Sequence, residues 1–148
     1  QDKHFEKFMN KLRSRNNAAL APMNMVVRQI INNQRNNIRA QYGFIADQTP
    51  AKAEIEYYTT FLGQETPVFL GIEKIARKYN MAVVILNVEK IKRGYYTVKS
   101  ELLFENTDGL PQYMVTNAHV KRLEEIIRKK PEHWIWTHRR WKYKKSEL

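Results

Sequence analysis

The sequence predicts an α/β fold: a mixed, mostly parallel sheet flanked by helices. Helical spacing of apolar residues near both ends, short apolar runs without alternation between them, and the order helix, helix, strand, strand, helix, strand, strand, helix, helix carry that expectation. From His4 to Asn16, Phe5, Phe8, Met9 and Leu12 fall at i, i+3, i+4 and i+7, a helix with one apolar face and Lys7, Lys11 and Arg15 turned to water. Pro22, whose fixed φ suits a first turn, opens a second helix to Gln34 with Val26, Val27, Ile30 and Ile31 on its buried side. The Asn-rich stretch from Asn32 to Asn37 frays its end.

Tyr42-Gly43-Phe44-Ile45-Ala46 has no alternation, as expected of a strand covered on both faces, and Asp47-Gln48-Thr49-Pro50 is the polar loop after it. Tyr57 to Leu62 reads as a short strand before Gly63, and Phe69, Ile72, Ile75, Ala76 and Tyr79 have helical spacing up to Asn80. Met81 to Val88 is β-branched and continuous, a second interior strand. The Lys92-Arg93-Gly94 turn leads into Tyr95 to Leu102, its antiparallel hairpin partner at the sheet edge. Asn106 to Pro111 is loop, and Val120, Leu123, Ile126 and Ile127 define a helix that Pro131 ends. Pro131 then starts a last helix to Tyr143, placing Trp134, His138 and Trp141 on one face.

One domain, residues 1–148, suffices for a chain of 148 residues that is 43% apolar. Lys and Arg outnumber Asp and Glu by 26 to 15, and the net charge of +11 points to polyanionic partners: nucleic acid, phospholipid headgroups or an acidic carrier protein. With no cysteine, disulfides, thiolate zinc sites and cysteine nucleophiles are excluded. The longest apolar run, Met81 to Leu86, is far below the roughly 18 residues of a membrane span, so a soluble chain is expected. A start at Gln1 suggests a processed product or an excised piece of a longer protein.

Asp47 and Gln48 follow the carboxyl end of an expected interior strand, where open α/β sheets place ligands; Asp47 serves equally as a loop cap. Arg13-Ser14-Arg15 offers planar guanidinium forks for a phosphate, or else cations that complement a helix end. From His119 to Lys145 ten Lys or Arg stand against three Glu among Trp134, Trp136, Trp141 and Tyr143, a mixture suited to a phosphate-rich interface, nucleic acid stacking or closure of a small core. His119 and Glu124 have the spacing of a histidine–acid pair, but five helical positions turn them about 140° apart. His138 beside Arg139 and Arg140 is a second polar cluster. The four histidines lack paired spacing with carboxylates, and no metal, cofactor or phosphate-loop motif is expected.

Four ordered blocks resemble the bacterial lipid A biosynthesis (lauroyl/myristoyl) acyltransferases, within the glycerolphosphate acyltransferase-like group. They are Lys11-Leu12-Arg13-Ser14-Arg15; Gly43-Phe44-Ile45-Ala46-Asp47-Gln48; Thr60-Phe61-Leu62-Gly63 with the helix to Arg77-Lys78; and Pro131-Glu132-His133-Trp134-Ile135-Trp136-Thr137-His138-Arg139-Arg140-Trp141-Lys142, the most specific. The resemblance implies transfer of a fatty acyl chain from acyl carrier protein, or a coenzyme A thioester, to a hydroxyl of a phosphorylated glucosamine lipid at the cytoplasmic face of the inner membrane. The family's His-acid segment and membrane anchor lie upstream of the Arg block and have no counterpart in this sequence, so the implied role is that of a C-terminal part, truncated at its N-terminus and inactive alone.

Carried over by motif, Arg13, Arg15 and Asp47 line the glycolipid headgroup and Gln48 supports the loop. Arg139 and Arg140 hold phosphate or the carrier protein. Phe61, Leu62 and Phe69 border the acyl chain or belong to the core, and Leu62 stands where relatives commonly carry a second aromatic. The implied partners are acyl carrier protein, a glycolipid acceptor and the membrane surface; nucleic acid is not expected. Rival readings are a basic nucleic-acid-binding module, a small complete enzyme using His119 or His138, and a peripheral lipid-binding module.

Overall fold

A computed structural model describes residues 2–15, 18–22 and 25–147. The chain divides into two compact units, Gln1–Gly43 and Phe44–Leu148. In the first, α1 (Lys3–Arg13) starts where the Asp2 carboxylate accepts hydrogen bonds from the backbone N–H groups of His4 and Phe5, at 2.8 and 3.4 Å. The expected helix is present, but no residue of α1 is buried and Phe5 and Phe8 are exposed. Asn16, its expected end, lies outside the described residues. Pro22 accepts from the Met25 N–H in a turn, and α2 (Val26–Arg35) begins after it, with Ile30 fully buried and Val27 exposed. The buried Asn33 accepts from the Gln29 side chain (3.0 Å) and donates to the Tyr42 hydroxyl (2.9 Å). Asn37, at φ 54°, closes the helix in the left-handed conformation that Asn tolerates.

The strand expected at residues 42–46 is absent, and Ile45 is exposed. An unalternating apolar run asks for cover and does not supply a hydrogen-bonding neighbour; none of the described strands pairs with it. β1 (Tyr57–Phe61) and β2 (Gln64–Val68) form a hairpin through Leu62 and Gly63, at φ 51° and 77°, the two positive values of a type I′ turn. After α3 (Gly71–Lys78), β3 (Val83–Lys92) and β4 (Tyr95–Phe104) make a longer hairpin around Arg93 and Gly94. The mostly parallel sheet is therefore corrected: among the described residues there are two two-stranded antiparallel sheets. Two-residue connections allow antiparallel pairing only, since a parallel partner needs a crossover of a dozen or more residues. Nor is β3 an interior strand, because Val84, Leu86 and Val88 are exposed.

α4 (Met114–Lys129) packs on both hairpins. Phe61, Val68, Val120 and Ile127 are the core, with Tyr57, Leu62, Leu123, Trp134 and Trp141 around them. The last expected helix is replaced by a single 3-10 turn, Pro131–His133, and then by tight turns in which Trp136 N–H bonds Trp134 O, His138 N–H bonds Ile135 O and Arg140 N–H bonds His138 O. The Trp136 indole donates to Pro131 O at 2.7 Å, satisfying a carbonyl that helix continuation would need. Trp134 and Trp141 still converge, reaching Phe61 with ring centroids 6.1 and 6.3 Å away.

Glu73, on α3 and 3% exposed, accepts from the N–H groups of Tyr113 (2.5 Å) and Thr116 (2.9 Å) at the start of α4, while Arg77 lies 3.7 Å from its carboxylate. No side chain of α4's own N-cap residue makes a capping bond, so this carboxylate takes that place. Replacing Glu73 with Gln turns an amide donor toward those N–H groups and lowers stability by about 1–3 kcal/mol. A urea midpoint equal to that of the unaltered chain would contradict this account of the helix start.

Candidate functional site

A polar cluster of the second unit forms where residues 47–49 meet the C-terminal tail and β2. Thr49 is its joint. Its backbone N–H donates to His138 Nε2 at 3.1 Å, and its hydroxyl donates to Arg140 O at 2.6 Å. The Arg140 guanidinium returns the link, donating from Nη1 to Pro67 O at 2.7 Å and to Thr49 Oγ1 at 3.4 Å. Arg140 is only 3% exposed, and its guanidinium lies 5.6 Å from the Phe61 ring centre. Next in the chain, the Trp141 indole donates to the Thr66 hydroxyl (2.8 Å), which donates to Gln64 O (2.9 Å).

Asp47 supplies the cluster's negative charge. It acts electrostatically on both Arg140 and His119, the latter on α4. Burial draws the Arg140 pKa down to about 10 against the pull of Asp47, which favours the cation. His119 is shifted below the ordinary histidine value, first by burial; Asp47 opposes the shift and Arg140 adds to it. Two buried atoms in the cluster, Asp47 Oδ1 and Arg140 Nε, have no hydrogen-bond partner among the described residues. A buried carboxylate oxygen in that condition is unusual, since buried polar atoms in native structures are nearly always paired. Among the described residues no group of three His, Asp or Glu side chains could hold a metal ion.

This loop-and-tail arrangement joins two of the blocks singled out in the sequence, around Asp47-Gln48 and His138-Arg139-Arg140. The family model for bacterial lipid A biosynthesis acyltransferase matches residues 1–143. The chain belongs to that family. Neither the curated proteins nor the solved structures gave a match.

The segments around Asp47-Gln48 and His138-Arg139-Arg140 thus meet in space in this chain, with Asp47 half-buried, Gln48 and Arg139 exposed and Arg140 enclosed. Arg13, the last residue of α1, and Arg15 belong to the first unit and are exposed. Phe61 and Leu62 are part of the core cluster. His119 and Glu124 have separate partners: Glu124 accepts from Leu62 N–H at 2.8 Å and pairs with Arg128, while His119 is influenced electrostatically by Asp47 and Arg140. Sequence reading did not bring His119 to Asp47, nor Thr49 to the tail. Thr49 and His138 are 89 positions apart, and their bond depends on a chain path that no local pattern encodes.

The lowered His119 value fixes the sign of a pH effect. The unfolded chain takes up a proton near pH 6.5 that the folded chain resists, so stability falls as pH drops through 6.5 and the loss levels off below the folded value. His119→Gln should flatten this acid limb, as read from urea midpoints between pH 7.5 and 5. A limb of unchanged slope in the variant would assign the loss to other groups.

Proposed function

We propose that this chain is the C-terminal part of a single acyltransferase domain that moves a fatty acyl group from an acyl carrier protein to a hydroxyl of a phosphorylated glucosamine lipid at the cytoplasmic face of the inner membrane. Membership of the family over residues 1–143 carries this reading. The residues of this chain contribute binding surface and scaffold, and the general base that deprotonates the acceptor hydroxyl comes from a His-acid segment upstream. In this reading Asp47 accepts a hydrogen bond from an acceptor hydroxyl, and Gln48 shapes the loop beside it. Arg13, Arg15 and Arg139, all exposed, answer phosphate or the acidic face of the carrier protein. Arg140 bears on the headgroup from beneath, holding the Asp47 loop to β2 and the tail through Thr49 and Pro67. The net charge of +11 steers an acidic carrier toward the chain, an attraction that salt weakens.

Acyl transfer from radiolabelled acyl carrier protein to a lipid A precursor tests the reading. Activity is expected from a protein extended upstream through the His-acid segment and not from these 148 residues by themselves. In the extended protein Arg139→Ala should raise the acceptor KM about tenfold with kcat little changed, the loss of one charge-assisted hydrogen bond. Transfer by the 148 residues alone would overturn the division of labour and make His119 the base to examine; transfer by neither protein would remove the proposed reaction.

A further inference from the structure

His138 has no part in the proposed transfer, yet it touches the loop that has one. Its Nε2 accepts the Thr49 backbone N–H at 3.1 Å, across 89 positions of sequence. A backbone amide only donates, so the ring nitrogen it meets must offer a lone pair. The half-buried side chain is therefore a neutral imidazole with its proton on Nδ1, the tautomer being set by the bond that the other nitrogen makes. Protonation adds a hydrogen to Nε2, and two donors then face each other.

Thr49 is where the loop is tied. Residues 47 and 48 are bends outside any helix or strand. Among the described residues, the hydrogen bonds that fix this segment run through Thr49: its N–H to His138, and its hydroxyl to Arg140 O, with Arg140 Nη1 3.4 Å from the same oxygen. Pro50, fully buried, follows and restricts the Thr49 backbone. The accepting ring is itself placed by tight turns, His138 N–H donating to Ile135 O and its own carbonyl accepting from Arg140 N–H. The charged groups around the joint are Asp47 on the loop, Arg139 and Arg140 on the tail and the titratable His119 on α4. Of the groups bonded to Thr49, His138 is the one that an ordinary change of pH converts, since carbonyls do not titrate there and Arg140 stays a cation.

We infer that His138 is a positioning residue, whose neutral ring holds the loop bearing Asp47 to the C-terminal tail through the Thr49 N–H and releases it on protonation. The effect on transfer rests on the proposed role of Asp47 toward the acceptor; the bond itself does not.

Nitrogen-15 NMR of the full chain, with hydrogen exchange at the Thr49 amide, tests the joint without any substrate. At pH 7.5 His138 Nε2 should give the signal of an unprotonated ring nitrogen and Nδ1 that of an N–H. Protection of the Thr49 amide should fall about fivefold between pH 7.5 and 5.5, the loss of one hydrogen bond. His138→Gln, whose side-chain oxygen stands where Nε2 does, should retain the protection and make it independent of pH. His138→Asn, too short to reach, should lose it at both values. His119→Gln should leave the response in place, which separates the two histidines. In the upstream-extended protein His138→Asn should cost about tenfold in kcat/KM and His138→Gln much less.

A proton on Nε2 at pH 7.5, a Thr49 amide equally protected in His138→Asn, or a pH response that persists in His138→Gln overturns the inference. So does full transfer by the extended His138→Asn protein. Circular dichroism monitors folding, and if the asparagine unfolds the chain the glutamine variant decides. An inactive extended parent counts against the transfer reading alone, and the ring and amide signals then settle the role of His138.

Discussion

Phe61 ends β1 at the point where the second unit must hold together a hairpin, a helix and a tail without regular structure. Trp134 meets its ring edge-on, Trp141 stacks against it at an interplanar angle of 29°, and the Arg140 guanidinium sits over it. Turns alone would not fix the path of the tail, since each closes only locally and its residues are otherwise free to swing. Packing on one buried ring removes that freedom. Once the tail is set, the carbonyls and side chains of residues 138–140 stand where Thr49 can bond them, and Asp47 is brought to His119 and Arg140. The electrostatic character of the site thus follows from an apolar contact.

Burying Arg140 has a physical cost that its surroundings only partly offset. Pro67 O and Thr49 take two of its donor directions, Asp47 supplies countercharge, and Nε has no hydrogen-bond partner. Removing a buried guanidinium would leave Pro67 O and the Asp47 carboxylate without their donor or countercharge, which costs more than the net worth of the pair. Arg140 is thus tied to β2 and to Thr49 through Nη1, while its Nε and Asp47 Oδ1 have no hydrogen-bond partner among the described residues.

Elements governed by local chemistry were legible from sequence alone. The Gly94 turn with its hairpin, the strand ending before Gly63, the helix ahead of Asn80 and the apolar positions of α4 each named their element correctly, whereas β2, whose Gln64-Glu65-Thr66-Pro67 has no apolar pattern, is not legible there. The failures share a cause. Residues 42–46 and Met81 to Val88 were read as interior because they are apolar and unalternating, yet apolarity reports a demand for cover without saying what provides it. In residues 131–143 the spacing of Trp134, His138 and Trp141 suggested a helical face, but the two indoles reach Phe61 from a chain of tight turns. Asp47 is singled out by its place after an expected strand and Arg139 and Arg140 by their cluster with His138, each also by the family resemblance; with no strand at residues 42–46, the first ground for Asp47 falls away. The Asp47–His119 relation had no such guide, because Glu124, the acid nearest His119 at a suggestive spacing, is committed to the turn at Leu62.

The carboxylate of Glu73 joins the beginning of α4 to the first turn of α3. A helix capped by its own residues can fray at its first turn while its neighbours remain ordered. Here fraying of that turn must break bonds to a side chain held on another helix, so the first turns of α4 and α3 open together. Amide protons in the first turn of α4 are therefore sheltered to a depth set by the docking of α3, and a disturbance that loosens either helix is felt as exchange in both.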